Sequence, residues 1–105
     1  MPTVVLTEHG TASAAEDFLI LADGQKHFTK IGRPSNGSTG QPIVIDLGHG
    51  FSARICTKKD TYADGRLFVG CGVQPDIMVE PTVKDLIKGR DGQLEAALKF
   101  LKKQK

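Results

Sequence analysis

Apolar positions fall along the chain in two rhythms. Pro2 to Thr7 is a short β-branched and apolar run, which predicts a buried strand. From Ala14 to Leu21 small residues give way to apolar ones, which predicts a helix. Phe18, Leu19, Leu21 and Ala22 make its apolar face and Ile20 nearly closes the ring, the pattern of a deeply buried helix. Gly24 is its stop. His27 to Gly32 alternates and predicts a second strand. Arg33 to Pro42 is a loop of glycine, proline and small hydroxyls. Ile43 to Leu47 and Phe51 to Thr57 predict two strands about a Gly48-His49-Gly50 turn. Phe51, Ala53 and Ile55 alternate with Ser52, Arg54 and Cys56, so one face should be buried. Lys58 to Gly65 is a polar loop, Leu67 to Val69 a short strand, Gly70 to Asp76 a glycine-rich bend, and Ile77 to Val79 a last short strand. Thr82 caps a short helix, Val83 to Lys88. Asp91 caps a final helix from Gln93, where Leu94, Ala97, Leu98 and Leu101 recur at i, i+3, i+4 and i+7.

This order predicts an α/β or α+β domain in which a mixed β-sheet is covered by packed helices. The 105 residues suffice for one domain with one core, residues 1–105. Apolar and charged fractions of 39% and 25% are ordinary for a globular protein. The net charge is +2 and the basic residues are scattered, with no stripe interleaved with aromatics, so nucleic acid is not an expected partner. Lys99, Lys102, Lys103 and Lys105 read as a solvated helix end that complements the helix dipole. No run is long enough to span a membrane, and no basic segment opens a signal peptide. Cys56 and Cys71 have no C-x-x-C partners, which argues against zinc and redox chemistry. Two half-buried strand thiols is the default expectation, with a single disulfide left open. No metal cluster and no cofactor signature is visible, and no lysine stands before Ser38 or Thr39 to make a phosphate loop. The chain opens almost directly into a buried-type strand, as a domain fragment would, or a small domain with a strand at its start.

The chemistry centres on Gly10-Thr11-Ala12-Ser13-Ala14-Ala15-Glu16. Ser13 sits where a strand hands over to a helix, and free N–H groups at a helix start can hold an oxyanion. Ser13 can therefore be a nucleophile, with the Ala14 N–H as an oxyanion donor. Ser13 and Glu16 also form S-x-x-E, a capping box with a purely structural role. His9, His27 and His49 are the histidine candidates for a base: His9, four residues before Ser13, reads as a turn histidine near the serine or simply a solvated one, and neither His27 nor His49 has an orienting carboxylate in sequence.

Three stretches together resemble the tail-specific, or C-terminal processing, serine peptidases. They are Thr11 to Glu16, Gly32 with the Ser35-Asn36-Gly37-Ser38-Thr39-Gly40-Gln41 loop, and Gly70 to Ile77; the closing Gly89 to Glu95 segment extends the likeness. The resemblance implies a partial crotonase-like, ClpP-like α/β core. It implies that Ser13 is the nucleophile and that the Ala14 N–H serves the oxyanion hole. Gly37 and Ser38 lie in the loop beside the site, and Ser38 stands where many members carry a lysine base. A lysine-free loop resembles the tricorn-like branch, in which a histidine from an earlier segment is the base. The expected reading is the C-terminal portion of a serine endopeptidase domain, inactive as an isolated chain. It needs no cofactor or metal and acts on a peptide or protein substrate. The family implies a bacterial cell envelope or periplasm. A homo-oligomer through an exposed sheet edge or core is expected. The alternatives are a non-catalytic peptide- or ligand-binding module on the same fold, and a crotonase-like acyl-transfer or hydratase fragment.

Overall fold

A computed structural model describes residues 1–104; Lys105, part of the expected basic helix end, lies outside them. The chain runs β1 (Thr3–Thr7), α1 (Ala14–Leu21), β2 (Phe28–Gly32), β3 (Pro42–Gly48), β4 (Phe51–Cys56), β5 (Ile77–Met78), α2 (Val83–Ile87) and α3 (Gly92–Lys103). The α/β class is as expected. The strands do not share one mixed sheet. β1, β2 and β5 form a parallel sheet in the order β1-β2-β5, and β3 and β4 form a separate antiparallel hairpin. β1 and β2 pair from Thr3 with Phe28 to Thr7 with Gly32, with α1 as their crossover. β5 adds only Ile77 and Met78, opposite Ile31 and Gly32.

Leu19 of α1, Tyr62, Phe68 and Val73 form the core cluster, with Val5 and Ile20 packed against it. Ile31 is also fully enclosed. Tyr62 meets Phe68 edge to face at 5.8 Å, a favoured aromatic geometry. α3 lies against β1 and β2, with Ala97 buried beneath it.

Four expectations are corrected. α1 is not enclosed on all sides: Leu19 is buried, but Phe18 and Leu21 are 50% and 80% exposed. The groups that cover the helix, Tyr62, Phe68 and Val73 with Val5 of β1, meet it on the Leu19 side. Leu67 to Val69 is not a strand, yet its central residue, Phe68, is fully buried. The α3 stripe is rotated from the expected face, so that Ala97 points inward while Leu94 and Leu98 remain about half exposed. Cys56 and Cys71 are free and exposed rather than half-buried, and Cys71 lies in the glycine-rich bend, outside any strand.

The hairpin is the largest departure. Register places Ile43, Ile45, Ala53 and Ile55 as cross-strand pairs on one face, yet neither face is covered. It extends away from the body as an arm, which raises the radius of gyration to 17.0 Å and the longest dimension to 56 Å. A compact domain of this length has a radius of about 13 Å. Among the described residues no helix is long and apolar enough to cross a membrane.

Phe68→Ala should cost about 3–5 kcal/mol, the usual loss for emptying an aromatic core site, whereas Leu98→Ala should cost about 1 kcal/mol because half of the side chain is already in water. Denaturant unfolding of the two variants checks this, and equal losses would place Leu98 in a buried interface.

Candidate active site

β1 ends at Thr7, and the chain turns through Glu8 to Ala12 into α1. Thr11 N–H donates to the Glu8 carbonyl at 2.8 Å, and the Thr11 hydroxyl accepts from Glu8 N–H at 3.1 Å. This tight turn delivers Ser13 to the surface with φ 57° and ψ −123°. Glycine adopts that combination readily and other residues rarely, so Ser13 carries backbone strain of about 1–3 kcal/mol. An ordinary capping serine is extended instead.

Glu16 donates its N–H to the Ser13 carbonyl at 2.8 Å, and its carboxylate accepts from Ser13 N–H at 3.1 Å. The pair thus keeps the relation of a capping box. The Ser13 hydroxyl lies on the Glu16 N–H side but makes no capping hydrogen bond. Ser13 and Ala14 are exposed. Ala14 N–H, at the open start of α1, has no hydrogen-bond partner among the described residues.

The glycine loop meets this turn from the other side. Ser13 N–H also donates to the Ser38 carbonyl at 3.0 Å, and Asn36 N–H to the Thr11 carbonyl at 2.8 Å. Gly37 is buried, with φ 75°, and a side chain there would stand 2.7 Å from the backbone nitrogen of Gly72. Ser13, Ala14, Gly37 and Ser38 therefore come together in space. The histidines do not join them. His9 is exposed in the turn, with its carbonyl accepting from the Asn36 amide at 3.2 Å. His27 lies just before β2 against Phe28, and His49 is in the hairpin turn.

A shallow depression of about 300 Å³ opens beside Ser13, lined by Ser13, Ala14, Asp17, Thr39, Gln41 and Lys58. Among the described residues, Ser13, Gln41 and His49 are the non-glycine residues with positive φ, and the first two line it. Lys58 Nζ is 2.8 Å from Asp60, and the Thr39 hydroxyl donates to the other Asp60 oxygen at 2.9 Å. The Asp60 hydrogen bond raises the Lys58 ammonium pKa above its usual value, so Lys58 is a cation at neutral pH. The same bond holds the Asp60 carboxyl below 3.8; partial desolvation opposes this and the Thr39 hydroxyl adds to it. Gln41, Lys58 and Asp60 were not legible as site residues. They precede and follow the hairpin; its closure brings Gln41 and Lys58 beside Ser13, and Asp60 stands behind them on Lys58 and Thr39. Among the described residues no group of three or more His, Cys, Asp or Glu side chains could hold a metal ion.

A parallel β-α-β unit with a strained serine at its strand-to-helix turn defines an α/β protein with a nucleophile-type turn. Comparison with known proteins gives its family. The family model for peptidase family S41 matches residues 1–79, so the chain belongs to that family. The resemblance to tail-specific, C-terminal processing peptidases is borne out. A carboxy-terminal-processing protease of Bartonella bacilliformis is 32% identical over 90 residues, covering 86% of this chain and 21% of that protein. The solved structure of a putative peptidase from Parabacteroides merdae is 31% identical with a TM-score of 0.84, over 95% of this chain and 31% of its own. The photosystem II D1 C-terminal processing protease is 29% identical with a TM-score of 0.62, over 79% of this chain and 22% of its own. The chain thus spans between a fifth and a third of these relatives.

Because the folded Asp60 pKa is depressed, its contribution to stability is complete above the unfolded value and is lost as pH falls through the folded one. Asp60→Asn should therefore lower Tm by a constant amount at neutral pH, and that penalty should shrink only as the pH falls below the ordinary carboxylate range. Thermal melts across that range check the sign, and a penalty that grows toward acid pH would contradict it.

Proposed function

We propose that this chain is the nucleophile-bearing, C-terminal portion of a serine-type peptidase catalytic domain with a crotonase-like core. It hydrolyses peptide bonds in a peptide or protein substrate as part of a longer polypeptide. The observation that carries this reading is the strained, exposed Ser13 beside the unpartnered Ala14 N–H. Ser13 Oγ attacks the scissile carbonyl, and the Ala14 N–H donates to the oxyanion that forms. The helix start favours that negative charge.

The base lies outside this chain. Ser38 occupies the loop position of the family's lysine, and Lys58 is already protonated and paired with Asp60. A base from an earlier segment, as in the tricorn-like branch, agrees with a chain that spans a fifth to a third of its relatives. By itself the chain is then inactive. The lack of a base within it is also what a non-catalytic peptide-binding module would present, and labelling separates the two. A fluorophosphonate should modify Ser13 of the full-length polypeptide. Ser13→Ala should abolish labelling and remove several orders of magnitude from kcat/KM. Ser13→Gly should do the same while stabilising the fold by about 1 kcal/mol, because glycine relieves the positive φ. Peptidase activity surviving Ser13→Ala would refute the assignment.

The arm supports the expected homo-oligomer. Ile43, Ile45, Leu47, Phe51 and Ile55 are each 38–70% exposed, and both hairpin edges are unpaired. Such surfaces drive association. Sedimentation of this chain should reveal a dimer or larger species at high concentration, reduced by Ile45→Lys; a monomer at millimolar concentration would rule the association out.

A further inference from the structure

We propose that Glu16 is a positioning residue, whose enclosed carboxylate fixes the Ser13 turn against the glycine loop; the proposal deepens the nucleophile reading of Ser13 and rests on it. A glutamate at the third position of a helix usually stays on the surface and covers one N–H. Glu16 is 0% exposed. Its Oε1 accepts from the Ser35 hydroxyl at 2.5 Å and from Gly37 N–H at 2.6 Å. Its Oε2 accepts from Ser38 N–H at 2.9 Å and from Ser13 N–H at 3.1 Å.

All four partners are donors. The Ser35 oxygen accepts from Val73 N–H at 2.7 Å, which leaves its own proton for Glu16. A group that only accepts, on both oxygens, is behaving as a carboxylate. An enclosed carboxylate is tolerated only with such a set of charge-assisted bonds. Capping the helix uses one of the four. The other three leave the helix and hold the loop that carries Gly37 and Ser38. Through Ser35, the Gly70 to Val73 bend is tied to the same group. One carboxylate thus joins the Ser13 turn, the glycine loop and that bend, beside the direct bonds from Ser13 N–H to the Ser38 carbonyl and from Asn36 N–H to the Thr11 carbonyl.

Glutamine has nearly the same size but opposite hydrogen-bond character on one side. Its NH₂ would face two N–H donors, or an N–H and a hydroxyl, so one side of the clamp must open. A residue that only capped the helix would tolerate that change. A residue that positions Ser13 would not, and the loss would appear in reaction rather than in probe binding.

Two measurements test this. In amide spectra of the unmodified chain, the Gly37 and Ser38 protons should be shifted far downfield and protected from exchange. Exchange as fast as at the exposed Lys59, Ala63 and Asp64 amides would overturn the proposal without any variant having to fold. In the full-length polypeptide, Glu16→Gln should slow fluorophosphonate labelling of Ser13 at least tenfold. The fall should lie in the maximal rate, with the half-saturating probe concentration unchanged. Ser35→Ala, which removes one of the four donors, should give a smaller fall of the same kind. Labelling of Glu16→Gln at the unmodified rate, or a loss carried by weaker probe binding, would overturn it. If the unmodified protein is not labelled at Ser13, the nucleophile reading fails, and the Gly37 and Ser38 amides still decide whether Glu16 is the clamp.

Discussion

The fold depends on how closely two glycine-containing backbones can approach. Ser35 to Ser38 runs against Gly70 to Val73 with main chain touching main chain. Ser35 N–H donates to the Val73 carbonyl at 3.1 Å, and Gly70 N–H to the Gly37 carbonyl at 2.8 Å. A side chain at Gly72 would stand 2.1 Å from the Ser35 carbonyl oxygen, and φ there is +81°. Only glycine meets both demands. This contact seats Phe68 and Val73 in the core and props the glycine loop beneath Ser13. The small core and the candidate active site are therefore one construction, with the second built on the back of the first.

Local periodicity was a good guide wherever an element's own residues decide its state. β1, α1, β2, the hairpin, both C-terminal helices and their Thr82 and Asp91 caps stand where the pattern put them. Periodicity says which residues can share a face, but not whether anything covers that face. Phe51, Ala53 and Ile55 alternate as an inner strand should, yet they belong to an uncovered arm. Phe68 shows the converse. Its segment bonds as a loop, because Gly70 to Gly72 turn the chain back onto Phe68, with Cys71 and Gly72 N–H both donating to its carbonyl.

The site was legible in part for the same reason. Ser13, Ala14 and Glu16 are close in sequence, so the turn could be read locally. The family motifs added Gly37 and Ser38. Glu16 read as a cap because a one-dimensional motif records only its bond to Ser13. Its bonds to Ser35, Gly37 and Ser38 span 19 to 22 residues. Lys58 and Asp60 belong to a polar loop with no signature of its own, and Lys58 comes beside Ser13 only because the hairpin returns to its starting point.

That return gives the arm a mechanical character. Its two strands leave the body and come back at one place, where Thr57 and Lys58 N–H both donate to the Gly40 carbonyl at 2.9 and 3.1 Å. Gly40 has no room for a side chain, which would meet Cys56 at 2.8 Å and the Lys58 carbonyl at 3.0 Å. The hairpin is about 24 Å long from this root to its tip. It is a lever with a narrow fulcrum, and Gln41 and Lys58, at its root, form one wall of the depression beside Ser13. The closure that projects the arm is therefore also what sets Gln41 and Lys58 in the wall beside Ser13.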